Sequence, residues 1–271
     1  MVDEIITVFC VCDDTLNEIG CKDDKQARVK TSEITMVAII SANFFGGNYS
    51  KVIMFFTGHG YIKNMIKESR FNRRLNAIDI DLWKLIFSIL AKGFKESNSR
   101  NEYAIDSFPI PVCSNVRIKR CKIYPAERQY CGVNASKGED FYGIRVHMIV
   151  TGKGEPVEFI IEPGSYSDIG TTKKFSFNFD YGAKIYADKG YTDYKFEDYL
   201  EFYRNINLIP QRKKNSKRSG VEYNGRIRKK IETAFSEIVR NFPNRIHAVT
   251  ASGFELKAFL FIMAYAISFL G

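Results

Sequence analysis

The chain has 271 residues, 45% of them hydrophobic, with a net charge of +9 and a pI near 9.1. That apolar content supports one large core or two modest ones and excludes global disorder. The basic balance points to a polyanionic partner, and the spacing of the six cysteines matches no zinc pattern, which leaves reduced thiols as the expectation.

Residues 1–30 are acidic, with seven acids against four bases. The start, MVDEIITVFCVCDD, carries acids where a secretory signal would carry bases, so a cytoplasmic protein is expected. SEITMVAIISANFF (32–45) has apolar residues at helical spacing, with Thr31 or Ser32 as the predicted N-cap and Gly46-Gly47-Asn48 as the stop. A second helix, YSKVIMFFTGHG, ends at Gly58-His59-Gly60. ESRFNRRLNAI (68–78) and IDLWKLIFSILAKGF complete a helical region over 1–98, in which Trp83 reads as core. Short helices with a basic one (Arg70, Arg73, Arg74) are predicted to form a helix-turn-helix-like DNA-binding region, with a plain helical bundle as the alternative.

Past Ser99 the pattern becomes strand-like, in YAIDSF (103–108), YGIRVHMIVT (142–151), VEFIIEP (157–163) and AKIYADKGY (183–191). Ile144, Val146, Met148 and Val150 alternate with Arg145, His147 and Ile149, which predicts one apolar face. Gly152-Lys153-Gly154 signals a hairpin turn. EDYLEFYRNIN (197–207) reads as helix, LIP (208–210) as a short strand, and RIRKKIETAFSEIVRNF (226–242) as an amphipathic helix. The apolar tail, 258–271, is shorter than the roughly 20 residues a membrane span needs, so a buried core helix and no membrane contact are expected.

Two strands end on a carboxylate. Tyr103-Ala104-Ile105 leads into Asp106, with Pro109 and Pro111 predicted to curtail the ladder beyond it, and Ile185-Tyr186-Ala187 leads into Asp188. An ionised carboxylate at the end of a buried strand is either exposed to solvent or has a cation against it. If the two strands are neighbours, their acids lie side by side and repel unless a cation intervenes. A hard divalent ion with oxygen ligands, Mg2+ or Mn2+, meets that need. Glu232, beside the apolar stripe of the late helix, is a third acid, and three such carboxylates can hold two metals about 3.5–4 Å apart for phosphodiester cleavage.

AIDSFPIPVC, YGIRVH, EFIIEPGSYSD, IYADKGY, RKKNSKR, KKIETAFS and IHAVTASGFELKAFLFIMAY together resemble bacterial insertion-sequence transposases of the DDE type, most of all the insertion-sequence 982 family. GHGYIKNMIKESRFNRRL extends the likeness over most of the chain. The resemblance implies an α+β, RNase H-like catalytic domain over 99–271, with a mixed five-stranded sheet flanked by helices. It implies Asp106, Asp188 and Glu232 as the triad for two Mg2+ (or Mn2+) ions. It further implies cleavage of double-stranded DNA at the element's terminal inverted repeats, strand transfer into target DNA, a homo-oligomer on DNA, and a nucleoid-associated location. Arg228, four residues before Glu232, fits the pattern of related transposases. Val239 stands where they carry a lysine, with Arg240 next to it, and Gly225 where they carry a tyrosine, with Tyr223 close by. A nuclease without strand transfer and a decayed DNA-binding copy are the alternatives.

Residues 211–230 hold nine bases against Glu222, a segment charge of +8. Arg212, Lys213, Lys214, Lys217 and Arg218 in that segment, Arg228 and Lys229 on the late helix, Lys189 after Asp188, and Arg73 and Arg74 are the candidate DNA contacts. Arg117, Lys119, Arg120 and Lys122 could form a basic hairpin against DNA or a solvated face. Asp168 reads first as a turn cap, with a supporting role at the site as the alternative. His147 reads as structural, and Tyr191 as loop packing or a phosphate contact.

Overall fold

The computed structural model describes residues 1–134, 138–218, 223–243 and 246–270. In chain order its first elements are α1 (Val2–Glu18), α2 (Thr31–Phe45), α3 (Tyr49–Gly58), α4 (Glu68–Ala77), α5 (Ile80–Ser97), β1 (Glu102–Cys113) and β2 (Cys131–Asn134). There follow β3 (Glu139–Thr151), β4 (Pro156–Pro163), α6 (Asp168–Thr172), β5 (Ala183–Ala187), α7 (Tyr194–Tyr199), β6 (Ile206–Pro210), α8 (Gly225–Arg240) and α9 (Ala251–Ile267). They form two compact units. One comprises Met1–Leu90, Glu237–Ala248 and Ser252–Gly271, the other Ala91–Ser236 and Val249–Ala251.

The first unit is helical and draws on both ends of the chain. Two of its helices are buried almost all round: α2, from Ile34 to Ala42, and α9, from Ala258 to Ile267. A helix apolar on every side belongs in a core, and Trp83 and Phe259 meet there edge-on at 6.5 Å. Among the described residues no helix is long and apolar enough to cross a membrane. The start of α2 differs from the expected Thr31 or Ser32 cap. Lys30 is the N-cap, Glu33 accepts its N–H at 2.6 Å, and Asp23 accepts the Thr31 N–H at 3.0 Å. Carboxylates thus do at this helix start what a hydroxyl was expected to do.

The second unit is built on a mixed sheet in the order β2-β3-β1-β5-β6, with β4 also on β3. It has six strands among the described residues, one more than the expected five. The extra strand, β2, is only four residues long, and it shares the outer edge of β3 with β4. β1, β2 and β4 run antiparallel to β3, while β5 is parallel to β1 and β6 to β5. Central parallel strands are covered on both faces, and Tyr103, Ala104, Ile105, Ile185 and Ala187 are accordingly buried.

Two strand expectations are corrected. Pro109 and Pro111 do not end β1, which continues antiparallel to β3 as far as Cys113. β5 pairs only with Glu102–Ile105, so the prolines lie where β1 has β3 as its one partner, and a missing N–H is tolerated on a free edge. The chains are close there: a Cβ on Gly143 would lie 2.2 Å from the Ile110 carbonyl oxygen, so only glycine fits. β3 is also not one-faced, because Arg145 is half-buried and His147 and Ile149 are fully buried opposite the apolar set. The RIKRCK run forms a 3-10 turn, Asn115–Arg120, rather than a hairpin.

Candidate active site

The register of the parallel pair sets the geometry. Ile105 on β1 is opposite Ala187 on β5, the last pair of that ladder, so the next residues, Asp106 within β1 and Asp188 just past β5, follow at the same level. Both acids sit where full burial gives way to partial exposure. α8 supplies the third group. Ile227, Ile231, Ala234 and Phe235 form its buried stripe, and the Phe235 ring lies 4.6 Å from Phe108 of β1. That packing turns Arg228 toward Asp106, and Glu232, one helical turn on, lies exposed beside Arg228.

The cation beside Asp106 is Arg228. Its Nη2 lies 3.6 Å from Asp106 Oδ2, and its Nη1 donates to Glu232 Oε1 at 2.7 Å. Asp106 also accepts the Ser107 backbone N–H at 2.9 Å. Burial first, then the charges of Asp168 and Asp188, push its carboxyl up to about 6, against the pull of the Ser107 N–H and Arg228. Burial lowers the Arg228 guanidinium, but Asp106, Glu232 and Asp188 outweigh it and hold the group raised. Tyr223 stands in the same field. Burial raises its phenol first, with Asp188, Asp106 and Glu232 adding to the effect, and its ring meets Tyr186 edge-on at 6.2 Å.

A second layer lies behind Asp106. The Ser107 hydroxyl donates to Asp168 Oδ1 at 2.7 Å, and Arg145 Nη1 donates to the Ser107 oxygen at 3.2 Å. His147, the cross-strand partner of Ser107, is buried with Nδ1 3.6 Å from Asp168. Tyr191 is buried too, its phenol pushed up by burial and by Asp168 and Asp106. Asp168 is not the turn cap expected of it, because Ser167 caps α6 by accepting the Gly170 N–H. Ser107 and Arg145 escaped notice in the sequence. Their available signal was position: Ser107 follows Asp106, and Arg145 lies on the polar side of β3.

The basic residues divide sharply. Arg212 donates through both terminal nitrogens to Glu197, a buried acid of α7, and Arg218 lies against both Glu197 and Asp198. Both guanidiniums also cover the Tyr194 ring. Arg74 is likewise turned inward, onto the Val29 carbonyl and Asp23. Arg73, Lys189, Lys213, Lys214, Lys217 and Lys229 are exposed, as are Arg117, Lys119, Arg120 and Lys122.

Carboxylates are the donor type a hard divalent cation takes. A carboxyl held up by burial and by two like charges marks a place short of positive charge, so the donor set of Asp106 and Asp188 fits such an ion. Among the described residues no three His, Cys, Asp or Glu side chains converge as a ligand group, and Glu232 is engaged by Arg228.

No curated protein matches the chain. The cryo-EM structure of a piggyBac transposase synaptic complex with hairpin DNA is similar in fold, with a TM-score of 0.51 at 10% identity over 98% of this chain and 73% of that one. The family model for the transposase DDE domain matches residues 96–248, which span the whole sheet and α8. With more than half of its length inside that match, the chain belongs to the DDE-domain transposases.

Proposed function

We propose that the protein is an RNase H-like transposase of the insertion-sequence 982 type, from a bacterium. In this reading it cuts DNA at its element's terminal inverted repeats and joins the freed ends to target DNA. One observation carries this: Ile105 opposite Ala187 sets Asp106 and Asp188 side by side, with Glu232 on the helix packed against β1. The strand order β4-β3-β1-β5-β6, with β2 as an addition at the edge, supports the RNase H-like reading.

Asp106 and Asp188 would hold a divalent ion, Mg2+ or Mn2+, and Glu232 would complete a second site after parting from Arg228. When bound, such a pair of ions activates the attacking oxygen and stabilises the leaving one. The protein's own part is positional. Ser107 holds one oxygen of Asp106, which leaves the other for the ion. Arg228, released from the carboxylates, becomes a donor for a phosphate oxygen. Lys189, directly after Asp188, and Lys229, next to Arg228, stand where a backbone entering the site would pass. Lys213, Lys214, Lys217 and the 117–122 cations extend that surface, and Arg73 marks the helical unit as a further DNA contact. Arg212 and Arg218 serve instead to fix the basic segment on α7. Pairing two DNA ends calls for at least two copies of the chain on DNA.

Strand joining separates this from simple nuclease action. A duplex ending in the element's own terminal sequence, already cut to a 3′-hydroxyl, should join to a plasmid in Mg2+ with the wild-type protein. Cleavage of the uncut end without any joined product would identify a nuclease instead.

A further inference from the structure

Ser107 directs two hydrogen bonds at two different carboxylates. Its backbone N–H donates to Asp106, at 2.9 Å, and its hydroxyl donates to Asp168, at 2.7 Å. The Ser107 oxygen has a second partner behind it. Arg145 is a donor only, so the Ser107 oxygen accepts from it while the Ser107 hydroxyl donates to Asp168. Arg145 is itself anchored, with Nη2 on the Val133 carbonyl at 2.6 Å and its guanidinium over the Phe141 ring at 5.4 Å. Asp168 is thus the acceptor of a hydroxyl whose oxygen is held by an anchored guanidinium.

Among the described residues no lysine or arginine lies within ion-pair distance of Asp168, and the only group that does is His147 Nδ1, at 3.6 Å. Burial first, and then Arg145 and Lys174, push that imidazole down to about 3, so it is neutral at physiological pH. The other Asp168 oxygen faces the segment after Asp188, where a Cβ on Gly190 would lie 3.6 Å from Oδ2. One carboxylate thus stands between the β1 segment bearing Asp106 and the loop that follows Asp188, with one oxygen bound to Ser107.

We propose that Asp168 is a positioning residue for Asp106. Through the Ser107 hydroxyl it fixes the stretch of β1 that presents Asp106, and its charge adds to the attraction of the Asp106–Asp188 pair for a divalent cation. This rests on the function proposed above. Asp168 acts through Ser107, by two linked hydrogen bonds, and loss of such an outer partner of a metal ligand costs about 10–100-fold in metal affinity or activity.

The test is Mn2+ binding to the DNA-free protein, followed by electron paramagnetic resonance, for wild type, Asp168→Asn, Ser107→Ala and Ser107→Thr. Thermal melting in chelator controls for folding. Asp168→Asn and Ser107→Ala should each weaken Mn2+ binding by about 10-fold or more, while Ser107→Thr, which keeps the hydroxyl, restores most of it. Unchanged binding in Asp168→Asn and Ser107→Ala would overturn the proposal, as would a Ser107→Thr protein as weak as Ser107→Ala. If Asp168→Asn does not fold, the two Ser107 variants decide. A wild type that takes up no Mn2+ fails the metal reading itself, and this proposal falls with it. Uptake by wild type with no loss in the variants overturns this proposal alone.

Discussion

Asp106 is protonated more readily in the fold than in the unfolded chain, because burial and the charges of Asp168 and Asp188 outweigh Arg228. The native state therefore binds the extra proton between pH 3.8, the unfolded value, and about 6, the folded one. Its contribution to stability is complete below the unfolded value and is lost as pH rises through the folded one. A shift of this size corresponds to about 3 kcal/mol at most, at 1.36 kcal/mol per pH unit. Without divalent metal, Asp106→Asn should match wild type near pH 4 and be more stable than it at pH 8. Arg228→Gln removes the opposing cation, so the wild-type loss should move to higher pH. Melting curves across that range in chelator check both, and an Asp106→Asn protein that is the less stable at pH 8 contradicts them.

At the scale of elements, the paired aspartates were legible in the sequence because each ends a short apolar run, and such runs are buried strands. What the run could not show was its neighbour. The pairing of β1 with β5 depends on a crossover through β2, β3, β4 and α6, and no local pattern encodes it. The same limit hid β2, whose four residues, CGVN, carry no alternation. It also hid the fate of the prolines, which depended on which edge of β1 stayed open. Charge was the least legible property, since Arg212 and Lys213 are adjacent in sequence yet one is locked to Glu197 and the other exposed. Glu197→Gln should leave Arg212 facing a neutral amide at a nearly buried site, at a cost of about 3–5 kcal/mol. A lowered urea midpoint with an unchanged slope is the expected result. Lys213→Gln should leave the midpoint where it is.

For the whole molecule, the excess charge of +9 acquires a location: exposed lysines after β6 and on α8, and the cations of the 117–122 turn. Each phosphate neutralised on B-DNA contributes about 0.9 to the slope of log affinity against log salt. Replacing Lys213, Lys214 and Lys217 together by glutamine should lower that slope by roughly 2–3. Fluorescence anisotropy on a labelled duplex at several salt concentrations measures it, and an unchanged slope would remove the segment from the DNA surface.

In the proposed function the paired aspartates carry metal-dependent DNA cleavage. This is tested most directly with labelled duplex bearing the element's end in Mg2+ or Mn2+, comparing wild type with Asp188→Asn. The expected result is specific cleavage to 3′-hydroxyl ends by wild type alone, abolished by chelator, with both proteins binding the duplex equally. Equal cleavage by the two proteins, or cleavage that survives removal of the metal, would contradict it.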